Sequence, residues 1–190
     1  MQRNILRKEM LTIRDALSQK DREQFSGKIA ERIIHSKEFQ EADCLLSYMS
    51  FRSEVDTTQI HVAALKNNKK LYLPRTYSKE HRIRFFHVDS LADLESGYMG
   101  ILEPAETEDE FVPKNMIQKP TVMIMPGVAF DSEKFRMGYG GGFYDRFLSK
   151  CSHSIMSIMV AYDCQKTVST LPKEHDQKPQ IICTETTWLQ

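Results

Sequence analysis

The chain has 190 residues, 41 % hydrophobic and 27 % charged, which suits one domain with its own core and is too short for two ordinary ones. Twenty-six basic side chains balance 26 acidic ones, a composition that argues against a nucleic-acid-binding module and against electrostatic attachment to an anionic membrane. The N-terminus, Met1-Gln-Arg-Asn-Ile-Leu-Arg-Lys-Glu, lacks the apolar stretch of a signal peptide, and no apolar run is long enough to span a bilayer.

Residues 3–17 and 18–35 read as two helices. In the second, Ser18 and Asp21 form a capping signal, and Phe25, Ile29 and Ile33 fall four apart, with Ala30 and Ile34 widening the stripe. The first carries Arg3, Arg7, Lys8 and Arg14, which periodicity alone reads as a solvated face. Residues 44–49 form an apolar run of buried-strand length. A helix near 58–67, a strand at 71–73 closed by Pro74, and a strand at 83–88 follow. Residues 103–118, acidic and holding two prolines, read as an exposed connection. The clearest buried strand is 121–125, terminated by Pro126-Gly127; a helix at 143–150 and strands at 155–161 and 181–184 complete the set.

Strands alternating with helices predict an α/β fold: a mainly parallel sheet with helices on both faces, in a Rossmann-like three-layer arrangement over a single domain of residues 1–190. In such sheets ligands bind beyond the carboxyl ends of the strands. Cys44, Cys151, Cys164 and Cys183 form no CxxC pair and no metal-ligand spacing. They are expected to be reduced, mostly buried thiols, which points to the cytoplasm.

After the strand at 121–125 the chain reads Pro126-Gly-Val-Ala-Phe-Asp131 and then Arg136-Met-Gly-Tyr-Gly-Gly-Gly-Phe-Tyr-Asp-Arg-Phe-Leu148. Gly138, Gly140, Gly141 and Gly142 lie just before a predicted helix. Glycine permits positive φ and close approach of a ligand to the main chain, and a helix start adds converging N–H groups and a positive dipole end. No Lys-Ser/Thr follows the glycines, so this is not a Walker A loop, and Phe143 takes the place of the third glycine of a dinucleotide fingerprint. On these grounds a phosphate cradle competes with a purely structural turn. Arg136 favours the cradle, because a guanidinium grips phosphate oxygens bidentately.

The run from Arg136 to Asp145, with Pro126–Asp131 before it, resembles the signature of the 5-formyltetrahydrofolate cyclo-ligase family, also called 5,10-methenyltetrahydrofolate synthetases. Further landmarks follow in family order: the basic N-terminal helix, Met49 and Glu54, Leu73-Pro-Arg75, Gly97-Tyr-Met-Gly-Ile-Leu-Glu-Pro104 and Leu171-Pro-Lys-Glu-His-Asp176. The resemblance implies transfer of the γ-phosphate of ATP to the formyl oxygen of 5-formyltetrahydrofolate. Ring closure by the other folate nitrogen then yields 5,10-methenyltetrahydrofolate, ADP and phosphate. It implies catalytic roles for Arg136, Tyr144 and Asp145. An ATP site of Arg3, Arg7 and the loop Arg136, Met137, Gly138, Tyr139, Gly140, Gly141, Gly142, Phe143 and Tyr144 is implied as well. The folate site implied is Met49, Glu54 and Tyr98 with Tyr139, Gly140, Gly141, Gly142 and Phe143. Mg²⁺ would be held by Asp145 and Asp176. The partners expected are 5-formyltetrahydrofolate and MgATP, acting on a monomer, with no nucleic acid and no membrane.

Three departures from the family pattern stand out: Gln180 where Asp is common, Phe143 for the commoner Tyr, and Gly141 where some members carry Lys. His175 beside Asp176 invites a general-base role that the phosphorylation route does not require. Two other readings remain: a sugar-phosphate isomerase or transferase on a similar scaffold, which would need no ATP, and a non-catalytic folate- or nucleotide-binding protein.

Overall fold

The computed structural model describes residues 1–113, 120–151 and 155–190. In chain order the helices are α1 (Gln2–Asp15), α2 (Gln19–Ile34), α3 (Lys37–Glu41), α4 (Thr58–Lys66) and α5 (Phe143–Cys151). The strands are β1 (Cys44–Leu46), β2 (Lys70–Tyr77), β3 (Arg82–Val88), β4 (Glu95–Ser96), β5 (Leu102–Glu103), β6 (Thr121–Met125), β7 (Ala129–Phe130), β8 (Arg136–Met137), β9 (Met156–Val160), β10 (Ile181–Cys183) and β11 (Trp188–Leu189). The main sheet runs β11-β10-β9-β6-β1-β2-β3. Its five inner strands are parallel, while β3 and β11 pair antiparallel at the edges.

Strand residues alternate between two cores. Leu45, Val122, Ile124, Ile158, Ile181 and Leu71 face one side, with α2, α3 and α4 supplying Ile29, Ile33, Phe39, Ile60 and Ala64. Cys44, Leu46, Met123, Met125, Met159 and Tyr72 face the other, where α5 contributes Phe147 and Cys151. Every residue of β6 is buried, so both faces of this central strand are covered, as expected of a parallel sheet. The predicted three-layer α/β arrangement is what the chain forms.

The topology decides where a ligand can sit. From β1 the chain crosses through α4 to β2 on one side; from β6 it crosses through α5 to β9 on the other. Neighbouring strands β1 and β6 thus form the switch point, and the crevice beyond their carboxyl ends is bounded by residues 47–54 and by the long segment from Pro126 to α5.

Several boundaries differ from the sequence expectation. The strand expected at 44–49 keeps only three ladder residues; Ser47 N–H still donates to Tyr72 O at 3.0 Å before the chain leaves the sheet. β2 continues through Pro74 to Tyr77. The carbonyl of Tyr72 faces β1, so Pro74, two residues on, faces the same side beyond the end of β1, and its missing N–H costs no ladder bond. Residues 103–113 are not simply exposed: Phe111 is buried and its N–H donates to Phe85 O at 2.8 Å, covering the free edge of β3. The remainder of that segment, residues 114–119, lies outside the described residues.

Candidate active site

The glycine loop does not spring directly from β6. A hairpin of β7 and β8 intervenes, and Asp131 fixes its turn: Oδ1 accepts from Glu133 N–H (3.1 Å) and Phe135 N–H (3.0 Å), while Oδ2 accepts from the backbone and hydroxyl of Thr170 (2.9 Å each). Helix α1 packs Leu6 and Met10 against Val128, Ala129 and Met137 of this hairpin. Arg3, Arg7 and Arg14, spaced by four and seven, occupy an adjacent stripe of the same helix. That packing brings the arginines to the loop. Arg7 Nε donates to Gly138 O at 2.9 Å, and a side chain at Gly140 would meet the Arg7 guanidinium 3.6 Å away. Gly140 (φ +105°) and Gly142 (φ +65°) hold the left-handed conformations that the loop needs before α5 begins.

Loop, helix start and the segment Lys173–Gln177 enclose a cavity of about 640 Å³. Arg3, Arg7, Arg136, Arg146 and Lys173 line it against Asp145, Glu174 and Asp176. Arg136 is buried at 4 % exposure, and its Nη2 donates to Asp145 Oδ1 at 2.8 Å. The same oxygen accepts from Gln177 N–H at 3.1 Å. Arg3 Nη1 lies 2.7 Å from Asp176 Oδ2, which also accepts from Lys173 N–H at 2.9 Å. Burial lowers the guanidinium pKa of Arg136, opposed by Asp145; burial, then repulsion from Arg3, does the same to Arg7.

Two buried donors of the cavity arginines, Arg3 Nε and Arg136 Nε, have no hydrogen-bond partner among the described residues, whereas Arg3 Nη1 is held by its ion pair with Asp176. Each such donor costs about 1–3 kcal/mol while unmet. An acceptor-rich ligand would recover that cost. The excess of cations over carboxylates in the cavity fits an anion, and the two aspartates supply the hard oxygens that Mg²⁺ prefers.

A second group of residues approaches the loop from beyond β1. Glu54, 9 % exposed, accepts from Phe51 N–H at 2.9 Å. Burial raises its carboxyl pKa; the Phe51 bond, the nearby Tyr139 hydroxyl and the charge of Arg14 pull the other way. Arg14 is 1 % exposed, not solvated as periodicity suggested. Its Nε donates to Ser53 Oγ (2.9 Å) and its Nη2 to Tyr139 Oη (2.7 Å). Tyr139 stays accessible at 45 % exposure and lines the cavity. Sequence reasoning missed Arg14 as a site-adjacent group. The available signal was its seven-residue spacing from Arg7, on the helix face already assigned to the loop.

Of the residues expected in the site, Arg3, Arg7, Arg136, Gly138, Tyr139, Gly140, Gly141, Gly142, Phe143, Tyr144, Asp145 and Asp176 line one cavity. Three do not. Met137 is fully buried against α1, so only its backbone borders the loop. Met49 packs half-buried against the α2–α4 core. Tyr98 is 42 % exposed, in the turn joining β4 to β5. His175 is exposed on the cavity rim. Gln180 lies outside the cavity: its Oε1 accepts from Ser157 N–H at 2.7 Å and its Nε2 donates to Ile155 O at 3.2 Å. It is a structural tie between the starts of β9 and β10, so its departure from the family pattern does not touch the paired aspartates.

Fold and cavity together define an α/β enzyme scaffold with an arginine-lined glycine loop at the switch point. The chain belongs to the 5-formyltetrahydrofolate cyclo-ligase family, whose model matches residues 1–185. A 5-formyltetrahydrofolate cyclo-ligase of Haemophilus influenzae is 30 % identical over 179 residues, 93 % of this chain and 94 % of that one. The solution structure of the Aquifex aeolicus 5,10-methenyltetrahydrofolate synthetase superimposes with a TM-score of 0.83 at 32 % identity, covering 99 % of this chain and 92 % of that one. The Mycoplasma pneumoniae 5,10-methenyltetrahydrofolate synthetase shares the fold with a TM-score of 0.76 at 22 % identity, over 97 % of this chain and 99 % of that one. Among the described residues no helix is long and apolar enough to cross a membrane.

Proposed function

We propose that the chain catalyses the ATP-dependent conversion of 5-formyltetrahydrofolate to 5,10-methenyltetrahydrofolate, as its family membership indicates. The observation that carries the site assignment is the set of buried, unmet guanidinium donors on Arg3 and Arg136 beside the glycine loop. In this reading the formyl oxygen attacks the γ-phosphorus of ATP and the bond to the β-phosphate oxygen breaks, releasing ADP. The second folate nitrogen then attacks the activated carbon, the C–O bond breaks, phosphate leaves, and that nitrogen gives up its proton. The formyl oxygen is a poor leaving group until phosphorylated, so the protein's work is positioning and charge neutralisation.

The roles follow from placement. Arg136, held in place by Asp145, and Arg3 and Arg7 from α1 receive the phosphates, with the N–H groups around Gly140 and Gly142 and the start of α5 beneath them. Asp145 and Asp176 are the carboxylates that would hold Mg²⁺, whose contribution is to offset triphosphate charge; each would exchange its arginine contact for the cation as the arginine turns to phosphate. Glu54 and the accessible Tyr139 receive the folate ring system from the β1 side. A cytosolic setting is in keeping with four cysteines that form no disulfide. The test is absorbance of the methenyl product from purified protein and 5-formyltetrahydrofolate, with ATP or Mg²⁺ omitted in turn. A signal that needs both supports the reading; folded protein giving none overturns it.

A further inference from the structure

Arg14 is among the largest fully buried side chains of the molecule, yet it lies in none of the hydrophobic clusters and does not line the glycine-loop cavity. Burying a guanidinium is costly unless its donors are met. Here they are met by three separate segments. Nε donates to Ser53 Oγ at 2.9 Å, on the loop after β1; Nη2 donates to Tyr139 Oη at 2.7 Å, inside the glycine loop; Nη1 points at Gly127 O, 3.5 Å away, at the end of β6. Ser53 in turn donates to Asp15, the neighbour of Arg14 on α1, and precedes Glu54 in the chain. Tyr139, besides accepting from Arg14, lies close enough to Glu54 for the carboxylate, after burial, to help raise its hydroxyl pKa. One planar cation thus sets the separation between the two loops that bound the switch-point crevice.

We infer that Arg14 is a positioning residue that holds the Tyr139 hydroxyl and the Ser53–Glu54 loop in a single register, so that the face of Tyr139 and the carboxylate of Glu54 present one continuous folate-binding surface to the phosphate cradle. The inference rests on the function proposed above and adds a residue to it. Arg14 touches neither substrate. Its effect passes through Tyr139, and it should therefore appear in the alignment of folate against nucleotide more than in nucleotide affinity. Lysine cannot replace it, because one ammonium at the end of a flexible stem does not span Ser53 Oγ and Tyr139 Oη with fork geometry.

The experiment compares the parent protein with Arg14→Lys, Tyr139→Phe and the double variant. It records kcat, KM for 5-formyltetrahydrofolate, KM for MgATP and the thermal midpoint. Tyr139→Phe removes only the hydroxyl and keeps the reading open if Arg14→Lys folds poorly. Each single variant is expected to lose about tenfold in kcat/KM for the folate while KM for MgATP stays within about twofold, and the double variant should lose no more than the worse single one. Losses that multiply in the double variant, or a fall in thermal midpoint with parental kinetics, would overturn the inference and leave the function standing. A folded parent with no turnover would instead remove the function, and the inference with it.

Discussion

The proposed phosphate end and the proposed folate end of the crevice are built in opposite ways. At the phosphate end, eleven consecutive residues from Arg136 to Arg146 supply the loop, the start of its helix and three of its charges, and the other charges come from one helix turn and one short segment. Its cations keep buried donors unmet and its carboxylates are tied to arginine. At the folate end, Glu54, Arg14 and Tyr139 come from three distant places in the chain and already have protein partners: Phe51 N–H for Glu54, and Ser53 and Tyr139 for Arg14. The first end is set up to exchange partners when ligand arrives; the second is set up to stay as it is. Phosphate-end variants should therefore act on nucleotide use and turnover, and folate-end variants on substrate fit with modest effects on MgATP.

The largest effect is expected from Asp145→Ala. It removes the proposed metal carboxylate and frees Arg136 from its partner. Turnover should fall by about a hundredfold or more, by analogy with the loss of one preorganised charge-stabilising group, while folate binding measured by calorimetry survives. An Asp145→Ala protein with parental kcat would break the contrast at its phosphate end. Next comes Arg136→Ala, which should weaken MgATP binding by about tenfold to a hundredfold and folate binding by much less. Equal MgATP affinity in variant and parent would remove the guanidinium from the cradle.

Glu54→Gln sharpens the other end, because its effects on stability and on binding have opposite signs. Burial raises the folded-state pKa of Glu54 above its unfolded value, so the folded protein holds that proton more tightly than the unfolded chain does. The stability contributed by the protonated group is fully present below the unfolded value of about 4.5 and is lost as pH rises through the folded one. Glutamine escapes that loss. The urea midpoint of Glu54→Gln should therefore gain on the parent between pH 4.5 and pH 7, while KM for the folate rises by about tenfold from loss of a charged acceptor. A midpoint difference independent of pH would mean that Glu54 is not held in the environment described.

These contrasts also mark what the sequence could disclose. That the glycine loop, Arg136 and Asp145 share one cavity was legible because they are adjacent in the chain, and adjacency is what a sequence records. The alternating cores were legible for the same reason, since strands as short as Thr121–Met125 carry their burial on their face. Arg14 was not legible as a buried tie, because its partners lie 39 and 125 residues away and periodicity treats an arginine as solvated. Met137 shows the converse case. Its place inside the signature suggested nucleotide contact, but strand alternation in β8 turns it toward α1 while Arg136 faces the cavity. The continuation of β2 through Pro74 depended on where the neighbouring strand stops, which is a property of the pair and not of either segment.

The smallest effect belongs to Gln180→Asp, which restores the residue common in the family. If Gln180 stood in for a missing acidic ligand, the change should raise activity or tighten Mg²⁺ dependence. Its placement predicts neither. The Gln180 side chain accepts from Ser157 N–H and donates to Ile155 O, both at the start of β9, and it lines no part of the glycine-loop cavity. Aspartate is one methylene shorter and has no N–H to donate, so the bond to Ile155 O is lost and a backbone acceptor is left facing a charge. Kinetic constants should stay within about twofold of the parent, with the thermal midpoint lowered by the loss of about 1 kcal/mol of hydrogen bonding. Mg²⁺ titration of turnover is the deciding measurement. A curve displaced to lower metal concentration in Gln180→Asp would place this position within reach of the phosphate end, and the boundary drawn between the two ends would have to move.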